Sequence, residues 1–312
     1  MRTAPQHPAH LASHARSQGQ WVRAIGLACL LSLAALGSCG GGGGGDKATP
    51  AVTAGTTTTV RTLNCTADAR VTRPEGGLLF NNTWNSAAAG QATWEQCLIA
   101  RTTAAGVNQY GWRWTWPSAG GALFAYPEIV VGAKPWEAGP GNDSRFPIRI
   151  AQAQALRLRY TTETQAIGSR NLATSLWLIQ TPEVASPPVE SDITAELMIW
   201  SDYTDDMVAD PGTTTLRGTF TDANGLQWDI WADTNWGDAS GGSTHRWTYI
   251  AYIIQPGQRR QSADIDALAM LRHAASLGLI STSLYVADVE LGNELVAGQG
   301  ETWLTEFALT VN

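Results

Sequence analysis

Two glutamates stand in surroundings that suggest chemistry, and the first interrupts an apolar run. Residues 195–200 read Ala-Glu-Leu-Met-Ile-Trp, in which Glu196 is the one polar residue. In a β-strand side chains alternate between faces, so Glu196, Met198 and Trp200 share one face. An indole can stack on a sugar ring while a carboxylate beside it acts on the anomeric carbon. The pattern is typical of carbohydrate chemistry; the alternative is an ordinary strand with one outward glutamate.

The second glutamate, Glu294, lies near the end of another strand-like segment, residues 283–296. There Asp288, Glu290, Gly292 and Glu294 fall on one parity and mainly apolar residues on the other. This alternation predicts a row of carboxylates that faces away from the core. Gly292 removes a side chain beside Glu294 and would give a ligand close access.

The histidines and cysteines argue against a metal centre. Beyond the first 39 residues only His245 and His273 remain, with Cys65 and Cys97. Two thiols without clustered histidines cannot build a four-ligand zinc site, and a Ser-His-Asp triad has no partners that the sequence singles out. In an exported chain the two cysteines favour a disulfide, and two buried thiols are the alternative. We expect neither a metal nor another cofactor.

Two further groups of residues are open between a structural role and a binding role. One is a set of alternating tryptophans that either pack the core or line a cleft. The other is an acidic loop in which the absence of EF-hand spacing favours solvated charges over a calcium site. The tryptophans are Trp112, Trp114 and Trp116, and the loop carries Asp202, Asp205, Asp206 and Asp210.

The first 59 residues read as an export signal and a tether. Arg16 and Arg23 precede the apolar run 24–36, which at about 13 residues is too short to cross a bilayer and fits a signal peptide. The run ends in Leu-Gly-Ser-Cys39, which resembles a bacterial lipobox; the alternative is an ordinary signal peptide with a cysteine by chance. Residues 40–59 are rich in glycine and threonine and predict a flexible tether.

Composition predicts that the remainder, residues 60–312, is one β-sandwich domain. Glycine and tryptophan are frequent, charged residues make up 15%, and short apolar runs alternate with turn residues. One helix is predicted, with Ser262 as N-cap, Asp264 and Asp266 in its first turn and Gly278 after its end. Without the leader the chain has 17 basic and 27 acidic residues, which argues against a nucleic-acid partner.

With these motifs in place, the chain from about residue 64 to 312 resembles glycoside hydrolase family 12. These are small endo-β-1,4-glucanases and xyloglucanases with a jelly-roll fold. The motifs occur in the family's order. They are the cysteine pair around Asn-Asn-Thr-Trp84, Tyr126-Pro-Glu128 with Lys134-Pro-Trp136, Glu196 to Trp200 with Pro211-Gly212 after it, the late helix, and Gly292-Asn-Glu294 with Gly298.

The resemblance implies a concanavalin-like β-jelly-roll sandwich of two antiparallel sheets with one late helix. It implies that Glu196 is the nucleophile and Glu294 the general acid/base of a retaining enzyme. It also implies substrate-binding roles for Trp84, Asn82, Tyr126, Met198 and Trp200. Two departures from the family pattern are Ser175, where an aspartate is usual, and Leu295-Val-Ala in place of the commoner Pro-Phe-Thr.

The expected partner is therefore a β-glucan: cellulose, mixed-linkage glucan or xyloglucan. We expect a monomer that contacts a membrane only through the lipid anchor at Cys39, at the outer membrane or cell surface, and otherwise a periplasmic or secreted protein. The alternative function is a glucan-binding surface lipoprotein without activity, whereas a purely structural sandwich explains neither glutamate. Glu290 and Glu128 are the nearest rivals of Glu294 for the acid/base role.

Overall fold

In the part of the chain that the structure describes, the regular structure is almost entirely β. The computed structural model describes residues 59–118, 121–139, 141–207 and 214–312. The predicted signal peptide, lipobox and most of the tether therefore lie outside the described residues, as do Asp210, Pro211 and Gly212. The strands are β1 Thr59–Asn64, β2 Arg70–Thr72, β3 Leu78–Phe80, β4 Glu95–Thr102, β5 Asn108–Trp116, β6 Glu128–Gly132, β7 Ile148–Arg149, β8 Leu156–Ile167, β9 Asn171–Ile179, β10 Ile193–Tyr203, β11 Thr215–Thr221, β12 Gln227–Gly237, β13 Arg246–Ile254, β14 Ser262–Asp266, β15 Tyr285–Val286, β16 Asp288–Gly292 and β17 Gly298–Val311, with one α-helix, α1 Ala267–Ser276.

The strands form two sheets. The small sheet has the order β1-β4-β5-β17-β8-β14, and the large sheet has the order β11-β12-β13-β10-β9-β16-β6-β3-β2, with β15 joining β7 to β9. Every pairing is antiparallel except β10 with β13. That pair is parallel because the chain leaves β10 for the sheet edge at β11 and returns through β12. The all-β jelly-roll prediction is confirmed, with this one parallel pair as an exception to the expected antiparallel sheets.

The core lies between the sheets and takes the three alternating tryptophans. Trp112, Trp114 and Trp116 are all buried in it, so their role is packing. A buried indole N–H needs a partner, and Trp112 Nε1 donates to Asn293 Oδ1 at 2.8 Å while Trp116 Nε1 donates to Gln96 Oε1 at 3.1 Å. The first of these bonds ties the core to the segment that carries Glu294.

The expected disulfide is present. Cys65 follows β1 directly and is bonded to Cys97 in β4, and β1 pairs with β4. The cross-link therefore joins the first strand to its neighbour, and the predicted disulfide is confirmed.

The helix begins later than the sequence predicts. Residues 262–266 form the edge strand β14, which pairs with β8 and is held there by Arg157 Nε donating to Asp264 Oδ1 at 2.5 Å. The N-cap is Asp266, whose carboxylate accepts from the Ala269 N–H at 2.9 Å. Ser262 as N-cap was wrong because the ladder with β8 holds that segment extended.

Arginines pair with two of the four aspartates that follow Trp200. Asp202 lies within β10, and an Arg170 guanidinium nitrogen is 3.9 Å from its Oδ2. Asp205 follows the strand, and its Oδ1 accepts from Arg259 Nη1 at 2.7 Å. Across the described ranges, no helix is long and apolar enough to cross a membrane.

Candidate active site

The large sheet presents a second face that points away from the core, which we call the outer face. Alternation along β10 puts Leu197 and Ile199 into the core and Glu196, Met198 and Trp200 on the outer face. Glu196 is only 9% exposed. An ordinary outward-pointing glutamate would be solvated, so this carboxyl group is held in place by its neighbours.

Two neutral donors hold the carboxyl group of Glu196. Ser175 Oγ on β9 donates to Oε1 at 3.2 Å, and Trp247 Nε1 on β13 donates to Oε2 at 3.3 Å. Burial raises the pKa of Glu196 to about 8, and the charges of Glu294 and Glu290 add to this rise. Among the residues that the structure describes, no cationic side chain forms an ion pair with Glu196, and its two hydrogen bonds come from neutral donors.

Glu294 follows β16 and is positioned by one asparagine. Asn171 Oδ1 accepts from the Glu294 N–H at 2.9 Å, and Asn171 Nδ2 donates to Glu294 Oε2. The neighbouring Asn293 donates to the Asn171 carbonyl at 2.5 Å and accepts from Trp112, so the segment is anchored in the core. Burial raises the pKa of Glu294 to about 7, against the lowering effect of the Asn171 bond.

Strand β9 links the two glutamates. Asn171 contacts Glu294, Ser175 contacts Glu196, and Ala173 lies between them on the same face. Since the charge of Glu294 raises the pKa of Glu196, the two carboxyl groups interact electrostatically. Because Ala173 and Ser175 have small side chains, β9 places no bulky side chain between the two glutamates.

Three of the five predicted binding residues form one apolar group beside these carboxyl groups. Tyr126, Met198 and Trp200 pack together on the outer face with Tyr249 and Ala173. The Tyr126 hydroxyl donates to the Ala173 carbonyl at 2.8 Å, and the Tyr249 hydroxyl donates to Met198 Sδ at 3.5 Å. Tyr126 and Tyr249 are thus fixed by hydrogen bonds.

The other two predicted binding residues lie after β3 and differ from each other. Trp84 is 37% exposed, unlike the buried tryptophans of the core. Asn82 is buried, and its Nδ2 donates to Glu128 Oε1 at 2.9 Å, while its Oδ1 accepts from the Trp84 N–H at 3.3 Å. Asn82 therefore orients the loop that carries Trp84.

Gly292 does not open space for a ligand. A Cβ atom there would lie 2.5 Å from the Pro127 carbonyl oxygen, 2.8 Å from Glu128 Cβ and 3.0 Å from Tyr126 Cε2. The expected close access was wrong: the missing side chain lets strand β6 and the ring of Tyr126 approach β16. The glycine thereby places Tyr126 beside the glutamates.

The predicted row of carboxylates on β16 faces away from the core but is not solvated. Asp288 and Glu290 are buried. Lys134 Nζ donates to Glu290 Oε1 and, at 3.1 Å, to Glu128 Oε1. Both rivals of Glu294 for the acid/base role are therefore ion-paired to one lysine.

Sequence reasoning missed the three residues that orient the two glutamates, namely Ser175 as a donor, Trp247 and Asn171. The sequence did contain a signal for Trp247, because Trp247 and Tyr249 alternate on β13 as Glu196 and Met198 do on β10. It contained none for Asn171, because its partner Glu294 lies 123 positions away. It also missed that Lys134 pairs with Glu128 and Glu290.

Comparisons with known proteins agree with this fold. The profile of Glycosyl hydrolase family 12 matches residues 78–312, and the chain belongs to that family. Endoglucanase S of Pectobacterium parmentieri is 27% identical over 237 residues, which are 75% of this chain and 81% of that protein. A family 12 xyloglucanase from Bacillus licheniformis superposes with a TM-score of 0.67 at 25% identity, over 81% of this chain and all of that one. An endoglucanase from Rhodothermus marinus has the same fold, with a TM-score of 0.59 at 23% identity over 80% of this chain and 98% of that one.

Proposed function

We propose that this protein is an endo-acting glycoside hydrolase that cleaves β-1,4-glucans with retention of configuration. Glu196 is the nucleophile and Glu294 the general acid/base. The observation that carries the proposal is the pair of electrostatically interacting carboxyl groups on one face, Glu196 buried and Glu294 partly buried, each held by neutral donors. A module that only binds glucan has no need of two such groups. The names of the family's members, an endoglucanase and a xyloglucanase among them, support the substrate class.

The reaction proceeds in two displacements. Glu294 gives its proton to the glycosidic oxygen while the Glu196 carboxylate attacks the anomeric carbon, which breaks the glycosidic bond and forms a glycosyl ester. Glu294 then takes a proton from water, and that water releases the sugar from Glu196. The donors Ser175 and Trp247 orient Glu196 for the attack, and Asn171 orients Glu294.

The aromatic residues supply binding of the polymer. Trp200 and Tyr249 flank the glutamates on the outer face, and Trp84 is exposed on its loop. Flat apolar rings of this kind stack on sugar rings while hydroxyl groups remain free for hydrogen bonds. We propose cellulose, mixed-linkage glucan and xyloglucan as the candidate polymers.

The test is product analysis of the purified protein on those three polymers, with NMR of the newly formed reducing end. The proposal expects shortened chains in the β configuration. It also expects a separation of about 5 to 5.5 Å between the two carboxyl groups in an oligosaccharide complex, whereas an inverting enzyme needs about 6.5 to 9.5 Å. Glu196→Gln should abolish turnover and keep glucan binding, with the exposed Glu306→Gln as the matched control. Binding of glucan without cleavage by the wild type would leave the binding-module function instead.

We further propose that the protein is exported and held at a membrane by a lipid on Cys39. The support is the order of charged region, short apolar run and lipobox-like tetrapeptide in the sequence.

A further inference from the structure

A group of buried charges lies on the outer face beside the proposed active site and has no part in the two displacements. It consists of the carboxyl groups of Glu128, Asp288 and Glu290 and the ammonium of Lys134. The carboxyl side chains are at most 1% exposed, and Lys134 is 12% exposed. Three acids face one base, so the group is negative unless some of its carboxyl groups hold protons.

Within this group Glu290 makes the closest contact with the lysine. Burial and the neighbouring carboxylate raise the pKa values of Glu128 and Asp288. Glu128 Oε2 and Asp288 Oδ2 also have no hydrogen-bond partner among the described residues, a situation that a neutral carboxyl group tolerates better than an anion. Glu290 by contrast makes the short contact with Lys134.

Glu290 is also connected to the nucleophile through strand β9. It pairs with Ser175 across the β16–β9 ladder, and Ser175 Oγ donates to Glu196. Two strand spacings, about 10 Å, separate β16 from β10. The side chain between the two carboxyl groups is only a serine.

We propose that Glu290 is a positioning residue for the hydrolysis: its carboxylate, fixed by Lys134, is the negative charge that favours the cationic transition state at Glu196 and sets the pH at which Glu196 becomes a nucleophile. In the first displacement the anomeric carbon gains positive charge, and a fixed anion nearby stabilises that charge without reorganising. The inference rests on the proposed function, because it needs Glu196 to attack a sugar.

Other charged or titratable groups act on the carboxyl groups of Glu196 and Glu290. Glu196 interacts with Glu294, Glu290 and Lys134, and the hydroxyls of Tyr126 and Tyr249 lie close by. Glu290 is surrounded by Lys134, Glu128, Asp288 and Tyr126. Lys134 opposes the effect of Glu290 on Glu196. The experiment must therefore change one charge at a time.

The experiment measures the pH dependence of inactivation by 2,4-dinitrophenyl 2-deoxy-2-fluoro-β-cellobioside. This reagent traps the glycosyl ester, and its leaving group needs no general acid. The acidic limb of its pH profile therefore follows the ionised fraction of Glu196, which also depends on the charge of Glu294. Glu290→Gln should move that limb to lower pH by about one unit, the effect of one charge about 10 Å away at an effective dielectric constant near 20. Above the limb, where Glu196 is ionised in wild type and variant alike, inactivation should slow by about tenfold through loss of the stabilising charge.

Two further variants separate charge from structure. Ser175→Asp adds a carboxylate beside Glu196 and should move the limb to higher pH. The double variant Ser175→Asp with Glu290→Gln moves the negative charge from β16 to the neighbouring strand β9. It should return the acidic limb of the pH profile toward the wild-type position. Glu306→Gln, which breaks an exposed ion pair with Arg159 on the small sheet, should leave the profile unchanged.

The outcomes are distinct. A wild-type limb retained in Glu290→Gln overturns the inference while the proposed function stands. Should Glu290→Gln fail to fold, the absence of an upward shift in Ser175→Asp overturns it equally, because a charge at that site then has no effect on Glu196. A wild type that neither reacts with the reagent nor cleaves glucan refutes the proposed function itself.

Discussion

Replacing Glu196 by Gln should stabilise the protein, and the gain should grow with pH. The pKa of Glu196 is about 8 in the folded protein against an ordinary value of 4.5. The folded state therefore holds a proton that the unfolded chain has released between these values, and stability falls as pH rises through this window. At about 1.4 kcal/mol per pH unit, the buried carboxyl group costs roughly 4 kcal/mol at pH 8.

The glutamine variant escapes most of that cost. It keeps the size of the side chain, but its amide matches only one of the two donors, Ser175 and Trp247, and the mismatch costs about 1 kcal/mol. We therefore expect Glu196→Gln to be about 3 kcal/mol more stable than the wild type at pH 8 and no more stable at pH 4.5.

Urea unfolding at pH 4.5, 6 and 8, with the disulfide intact, measures these differences by linear extrapolation. Glu306→Gln is the control, because this carboxylate is exposed and pairs with Arg159; no comparable gain is expected for it. A stability gain that is the same at all three pH values, or a variant less stable than the wild type at pH 8, would refute the reasoning from burial.

The remaining predictions concern catalysis, the helix and the anchor. Glu294→Ala should lose activity on glucan and recover part of it with azide, which attacks the glycosyl ester without a general base; full activity without azide would move the acid/base role elsewhere. Wild-type activity should fall above about pH 8, because burial places the last proton of the glutamate pair near there, and a flat profile to pH 10 would contradict this. Asp266→Ala should lower the free energy of unfolding by about 1 kcal/mol through loss of the N-cap, measured by urea unfolding at pH 7. Cys39→Ala should release the protein from membranes, unless the wild type is already soluble with a different N-terminus.

Local patterns in the sequence were enough to assign side chains to the two faces of a strand. Alternation around Glu196 and in the tryptophans 112–116 assigned side chains that share a face, because the period of a strand is a local property. The same patterns could not say which face is solvated. Asp288 and Glu290 were expected in a row of carboxylates that faces away from the core. Both are buried, and Lys134 from another segment pairs with Glu290.

Register between distant strands was beyond the sequence. Asn171 meets Glu294, and Trp247 meets Glu196, only because β9 lies between β10 and β16 and β13 runs parallel to β10. The predicted start of the helix was wrong for a related reason. Ser262 is an acceptable N-cap by type, but pairing with β8 offers residues 262–266 more backbone hydrogen bonds as a strand than they would make as a helical turn.

The proposed first displacement needs a proton on Glu294 and an ionised Glu196. Burial raises the pKa of Glu196 to about 8 and that of Glu294 to about 7, and the hydrogen bond from Asn171 opposes the rise in the pKa of Glu294. We propose that bound glucan favours the required arrangement, because the positive charge that develops at the anomeric carbon favours an ionised Glu196 while exclusion of water by the sugar disfavours a charged Glu294. Because the charge of Glu294 acts on Glu196, the pH dependence of kcat/KM on glucan should report two ionisations of the pair in the free enzyme, and neither limb belongs to one glutamate alone.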